Sequence, residues 1–239
     1  MPVFNEEKAI VVFVDELYQN LNRYDLTFVI VNDASTDNTL ESIASLETLN
    51  QKINLVLISN QQNLGHGPST IVAMMKAVEL NPELILTIDG DGQFMGKEVA
   101  ETLSHFLTTD NDICEGVRIL RNEPFFRSIS TLVLKLLVWS RSRKLPRDAN
   151  TPFRIYRTEK LRAALGVLPQ NFPIPNAVLS WYSRKNKWKI LELPVKSMPP
   201  RGMNPHGSTW NQRFHAFPSQ KFLKFCIYSL WAWVRLRVE

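Results

Sequence analysis

The chain has only two cysteines, Cys114 and Cys226, in 239 residues. Two cysteines cannot build a disulfide framework, and a reducing compartment is the expected setting. The start, MPVFNEEKAI, lacks the basic-then-apolar order of a signal peptide. No run approaches the roughly 20 apolar residues that span a bilayer. The best stretches, 129–139 and 222–234, are interrupted by Lys135 and Lys224 and have basic flanks, as in core or interfacial helices. Neither G-x-G-x-x-G nor G-x-x-x-x-G-K-[ST] occurs, which argues against a dinucleotide site or a P-loop. Internal repeats and low-complexity tracts are absent too. With 44% apolar and 21% charged residues, the chain is neither a disordered tail nor a collagen-like repeat.

Each half of the chain is poor in one sign of charge. Residues 1–115 hold 5 Lys and Arg against 18 Asp and Glu, a net of −13; residues 116–239 hold 23 against 5, a net of +18. The overall +5 hides this division. Acidic groups in one half suit a metal. Basic groups in the other suit phosphate, an anionic lipid surface or nucleic acid. A nucleic-acid partner is disfavoured. The basic half carries no recognition motif, and its aromatics sit in apolar runs instead of on a polar stacking platform.

The first half alternates short apolar runs with helical patterns. LTFVIV at 26–31, INLVLIS at 53–59 and LILTI at 84–88 read as strands buried on both faces of a parallel sheet. Helices are expected at about 6–20, 36–49 and 67–80, with Asn5 and Ser35 as N-caps of the first two. The alternation predicts an open α/β sheet with ligands at the carboxyl ends of its strands. A first strand has only residues 1–4 available, so it is either very short or begins further upstream. In the second half, strands are expected at 112–117 and 189–195. A helix is expected at 125–144 and a Pro/Gly-rich loop at 198–208. A last helix at about 218–237 has two readings, a packing helix or an amphipathic interfacial anchor.

Two polar clusters follow strands. In Asp89-Gly90-Asp91-Gly92-Gln93, alternate residues of an extended segment point the same way. Both carboxylates can then face one hard cation, with Gln93 offering a third oxygen. Such a cation neutralises a diphosphate leaving group. In Asn32-Asp33-Ala34-Ser35-Thr36-Asp37, Asp33 stands at a strand end, placed to accept from a base N–H or a ribose hydroxyl. The turn Asn63-Leu64-Gly65-His66-Gly67-Pro68 opens a helix, and His66 reads as structural or as a ligand contact.

The order Pro2-Val3-Phe4-Asn5-Glu6-Glu7, Asn32-Asp33-Ala34-Ser35-Thr36-Asp37, Asn63-x-Gly65-x-Gly67 and Asp89-Gly90-Asp91-Gly92-Gln93 resembles family 2 glycosyltransferases over about the first 95 residues. Asp91-x-Gln93 is similar to the polyprenyl-phosphate (dolichol-phosphate) sugar synthase branch. So are Gly116-Val117-Arg118, Arg127 and Asp148-Ala149-Asn150-Thr151-Pro152-Phe153-Arg154, with Thr-Pro where the branch has Ser-Gly. Arg201…Gly207-Ser208 resembles its R-x-x-G-x-S element at longer spacing.

The resemblance implies a Rossmann-like GT-A α/β fold with a mostly parallel central sheet. Residues 1–210 are expected to form the glycosyltransferase domain (1–115 for the nucleotide-sugar, 116–210 for the acceptor) and 211–239 a C-terminal amphipathic helix. It implies nucleotide-sugar contacts at Pro2, Val3, Glu6, Asp33, Gly65, Asp89 and Arg201. Catalytic residues would be Asp89, Asp91, Arg118, Arg127 and Asp148. Asp91 and Gln93 would hold Mg²⁺ or Mn²⁺.

The acceptor class turns on one question, whether a base is present. A hydroxyl acceptor needs one, whereas an anionic phosphate oxygen is already nucleophilic and needs positive charge to position it. Arg118, Arg121 and Arg127 supply that charge, and no acid lies between Glu159 and Glu192. The expectation is inverting transfer from a nucleoside-diphosphate sugar to a polyprenyl phosphate by a protein peripheral to the cytoplasmic membrane face. Two alternatives stay open: a glycan or other hydroxyl acceptor with Asp148 as base, and a non-catalytic nucleotide-sugar or membrane-binding module.

Overall fold

The computed structural model describes residues 1–49, 52–119, 125–202 and 220–236. In chain order the elements are β1 (Pro2–Val3), α1 (Ile10–Leu21), β2 (Thr27–Asn32), α2 (Thr39–Leu49), β3 (Asn54–Ser59), α3 (His66–Glu79), β4 (Leu84–Thr87) and α4 (Gly96–Leu107). Then come β5 (Ile113–Ile119), α5 (Phe125–Ser142), β6 (Arg154–Arg157), α6 (Thr158–Leu165), α7 (Pro175–Lys185), β7 (Ile190–Lys196) and α8 (Gln220–Arg235).

The strands form two sheets. The order β1-β2-β3 is parallel throughout. In β4-β6-β5-β7, β6 runs antiparallel to both neighbours and β5 pairs parallel with β7. Pairing is thus mostly parallel, with β6 the exception. The sheets meet where Gly90 N donates to Pro2 O at 3.3 Å. A Cβ on Gly90 would stand 2.2 Å from Val3 Cγ1, so only glycine lets the segment after β4 lie this close to β1. Strand β1 pairs through Pro2 with Val31 and through Val3 with Asn32.

One core cluster runs under both sheets. Phe13, Val14 and Leu17 of α1 meet Val99, Leu103 and Phe106 of α4, with Ile30, Phe94, Phe153 and Ile155. A second cluster joins α5, α7 and α8 through Val138, Ala177, Val178, Trp181 and Trp233. A third packs α3, α6 and α7 around Ile85, Ile113 and Tyr156.

The sequence reading places β2, β3, β4, α3, α5 and α8 correctly to within a few residues. It omits α4, β6, α6 and α7. Its N-caps need correction. Helix α1 starts at Ile10 behind Ala9, and α2 starts at Thr39. Asn5 (φ 57°) and Ser35 tie the two preceding loops together instead. Asn5 N donates to Ser35 Oγ at 3.0 Å, and Thr36 N to Asn5 Oδ1 at 2.8 Å.

Strand β6 reads RIYR and is buried. Its Arg154 is tolerated inside because Nη1 lies 3.2 Å from Glu115 Oε1 of β5. Glu115 also accepts from Arg184 of α7 at 3.1 and 2.7 Å, and Arg184 reaches Glu192 of β7 at 2.7 Å. A carboxylate between two guanidiniums satisfies charges that would otherwise be costly to bury.

Candidate active site

The carboxyl ends of β1, β2 and β4 lie together, where an open α/β sheet presents its ligand crevice. Backbone atoms of β1 hold this edge. Val3 O accepts from Asp33 N at 2.9 Å, and Pro2 O accepts from Gly90 N.

Asp33 is buried at the end of β2, and its carboxylate organises the next loop. Oδ1 accepts from Leu64 N (2.8 Å) and Asn60 Nδ2 (2.9 Å), and Oδ2 from Gly65 N (2.9 Å). Gly65 has φ 93°, a left-handed value suited to glycine, and caps α3. A Cβ on Gly67 would stand 2.4 Å from Pro173 O, so the first turn of α3 presses directly on the loop before α7. His66, in that same turn, puts Nε2 3.6 Å from Asp89 Oδ1.

Glu6, Asp37, Asp89 and Asp91 crowd the crevice with negative charge. Burial and then the charge of Asp89 push Asp91 up to about 7; the N–H of Gln93 (3.1 Å), His66 and Arg118 oppose the rise. Burial, then Asp91, Asp37 and Asp89, push Glu6 up to about 8. Glu6 Oε2 is buried with no hydrogen-bond partner among the described residues. Acids that hold protons this far above their usual range lack positive charge. The donor set, carboxylate oxygens plus the Gln93 amide, suits a hard divalent cation. Among the described residues no group of three His, Cys, Asp or Glu side chains is set to hold a metal ion by itself.

Residues 197–202 strap this turn from above. Met198 N donates to Gln93 O (2.9 Å), and Arg201 N to Asp91 O (3.0 Å). Arg201 Nε donates to Gly92 O (2.9 Å), and its Nη1 pairs with Glu16 of α1. Glu16 also accepts from Gly96 N at the start of α4. Gly92 (φ 69°) has no room for a Cβ, which would fall 2.6 Å from Arg201 Cδ. Arg201 therefore holds its own loop to the Asp91 turn. Sequence reasoning missed Glu16, because nothing local marks an outward acid of α1 as the partner of a residue 185 positions away.

From the basic half, Arg118 on β5 acts electrostatically on Asp91 and grips Asp148. Asp148 is 1% exposed by its side chain and also accepts from Asn150 N at 3.3 Å. The crevice thus gathers Glu6, His66, Asp89, Asp91, Gln93 and Arg118, while Asp148 reaches it only through Arg118. Arg121, Gly207 and Ser208 lie outside the described residues, as does the Arg127 side chain.

The model of the family described as "Glycosyl transferase family 2" matches residues 1–163. A UDP-N-acetylglucosamine–dolichyl-phosphate N-acetylglucosaminyltransferase of Methanococcus voltae is 27% identical over 213 residues, 83% of this chain and 84% of that one. A dolichyl-phosphate beta-glucosyltransferase of Trichomonas vaginalis is 29% identical over 99 residues, 38% of this chain and 28% of that one. Among solved structures, a mannosyltransferase from Pyrobaculum calidifontis, bound to GDP-Man and Mn²⁺, superposes with a TM-score of 0.59 at 17% identity. It is matched over 85% of this chain and 56% of its own. Glucosyl-3-phosphoglycerate synthase from Mycobacterium tuberculosis, bound to Mn²⁺ and UDP-glucose, gives 0.59 at 15% identity over 85% and 70%. These structures share the GT-A fold expected from the motifs. With the family match covering well over half its length, the chain belongs to glycosyl transferase family 2.

Proposed function

We propose that the protein transfers a sugar from a nucleoside diphosphate to a polyprenyl phosphate, with inversion, in one displacement. The anomeric C–O bond to the diphosphate breaks with its electron pair as an acceptor phosphate oxygen forms the new bond. Pro2, Val3, Glu6, Asp33 and Gly65 line or support the nucleotide side. Asp89, Asp91 and Gln93 would hold Mg²⁺ or Mn²⁺, which when bound offsets the charge on the departing diphosphate. Arg118, together with Arg127, orients the acceptor phosphate. Arg201 contributes by holding the strap over the diphosphate turn.

The observation that carries this reading is the engagement of Asp148. Among the described residues the basic half has three acids. Asp148 is gripped by Arg118, Glu192 pairs with Arg184 and accepts from Arg147 N, and Glu159 sits exposed in the first turn of α6. None stands ready as a general base. A phosphate acceptor needs none and needs the positive charge that this half supplies. The Methanococcus relative, named for a dolichyl-phosphate acceptor, supports the same choice. Such an acceptor puts the reaction at a membrane surface, and nucleotide-sugar supply favours the cytoplasmic face.

The test is calorimetric titration of UDP and GDP, with Mn²⁺ and with EDTA, on the wild type and Asp91→Ala. Labelled-sugar transfer to a short-chain polyprenyl phosphate and to its dephosphorylated alcohol completes it. Metal-dependent binding of one nucleotide, lost in the variant, with transfer to the phosphate alone, is the expected result. Transfer to the alcohol would overturn it.

A further inference from the structure

Helices α5 and α8 are amphipathic the wrong way round for water. Their inward faces, with Val138 of α5 and Trp233 of α8, are buried in the cluster shared with α7. Their outward faces are also apolar. Ile129, Leu132, Val133 and Leu136 make one stripe on α5; Leu223, Ile227, Leu230, Trp231 and Val234 make another on α8. Ile227 is 69% and Val234 67% exposed. A helix on a water-facing surface normally turns charge outward.

The two stripes belong to one surface. The Cys226 thiol hydrogen-bonds Ser130 near the starts of the helices. Near their ends, Arg141 donates to Leu236 O (3.0 Å) and Val234 O (3.3 Å). The helices therefore run side by side in the same direction. Lys221, Lys224, Arg235, Arg143 and Lys144 rim this surface, and neither helix contains an acid. Arg235 lies 3.9 Å over the Trp231 ring and Arg143 5.5 Å over Trp139, the pairing of aromatic body and cationic head found at bilayer interfaces.

We infer that the α5–α8 face is a docking surface for an anionic lipid bilayer, lying in the headgroup plane with its apolar stripes inserted. A second copy of the chain is the poorer occupant. Two-fold pairing of this face would set Lys and Arg against Lys and Arg with no acid to offset them. The 16 residues of α8 reach roughly 24 Å, less than the thickness of a bilayer's hydrocarbon core. Among the described residues no helix is long and apolar enough to cross a membrane. The inference deepens the proposed reaction and rests on it in one respect: the acceptor lipid resides where this face docks.

Flotation of the full chain tests it, using vesicles of phosphatidylcholine alone and vesicles with about one-third phosphatidylglycerol. The wild type is expected to float with the anionic vesicles, and raised salt should weaken its binding. Ile227→Ser/Trp231→Ser/Val234→Ser should lower partitioning at least about tenfold. Lys221→Gln/Lys224→Gln should lower it roughly fivefold per charge, on anionic vesicles only. Val12→Ser, at an exposed apolar site on α1, serves as the control. Circular dichroism and transfer to a water-soluble short-chain acceptor should be unchanged in all variants. Flotation of the triple variant equal to wild type would overturn the inference. So would a wild type that never floats, or a wild-type dimer that the triple variant converts to monomer. A wild type that floats but transfers no sugar would leave docking standing and remove the proposed reaction.

Discussion

Arg118 closes on Asp148 from the side, Nε to Oδ2 at 2.9 Å and Nη2 to Oδ1 at 3.2 Å, while the same Nη2 reaches Asn150 O at 3.2 Å. The pair fixes a cation between the acidic crevice and the basic half. Asp148→Asn keeps the shape but removes the counter-charge. Breaking a buried pair costs about 3–5 kcal/mol, and the 15% exposure of Arg118 puts this one toward the lower end. The expected outcome is a lower melting temperature and a raised KM for the phosphate acceptor, with both limbs of the pH–rate profile unmoved. A lost limb would make Asp148 a base.

Glu115 contacts both Arg154 and Arg184. Glu115→Gln takes the paired carboxylate from buried Arg154 and leaves Arg184 with Glu192 alone, a loss of about 3–5 kcal/mol. Chemical denaturation should show it as a lower midpoint with an unchanged slope.

Glu6 and Asp91 bear on pH dependence. Their folded-state pKa values, about 8 and about 7, lie above the ordinary 4.5 and 3.8. The folded protein then binds more protons than the unfolded chain between those limits. Their contribution to stability is therefore full below about 4 and is lost as pH rises through 7 to 8. Relative to wild type, Glu6→Gln and Asp91→Asn should unfold at higher temperature at pH 8 and show no such gain at pH 4. Mn²⁺ at pH 8 should raise the wild-type melting temperature and raise that of Asp91→Asn less.

The strap at 197–202 depends on Glu16. Glu16→Ala removes the partner of Arg201 and the acceptor for Gly96 N. Trypsin should then cut after Arg201 faster than in the wild type, as read by mass spectrometry, and nucleotide binding should weaken. An unchanged cleavage rate would mean the backbone bonds to Asp91 and Gln93 suffice.

The legible parts of the fold are those whose signal is local. The runs that became β2, β3 and β4 are continuous and apolar, and Asp33 and Asp89–Gln93 follow strands as such sites do. Strand β6 was illegible because RIYR looks exposed until Glu115 and Tyr156 surround Arg154. Helix α7 hid because its Ser180, Ser183 and Arg184 are buried, which blurs the periodicity. Pro175 in its first turn and Arg184-Lys185 in its last were the available cues. At the site, residue types were readable but commitments were not. Arg201 has the chemistry to hold a phosphate, yet its guanidinium is taken up by Gly92 O and Glu16.

The strap also dictates when the crevice is finished during synthesis. Arg201 bonds a carbonyl 109 residues behind it, and Met198 caps a turn made just as early. Contacts of such long sequence separation close late. A nascent chain that has already produced the whole acidic half still presents the Asp91 turn uncovered. Only when β7 has left the ribosome and docked beside β5 can the strap reach the Asp91 turn, so the covered turn arrives with the basic half and never ahead of it.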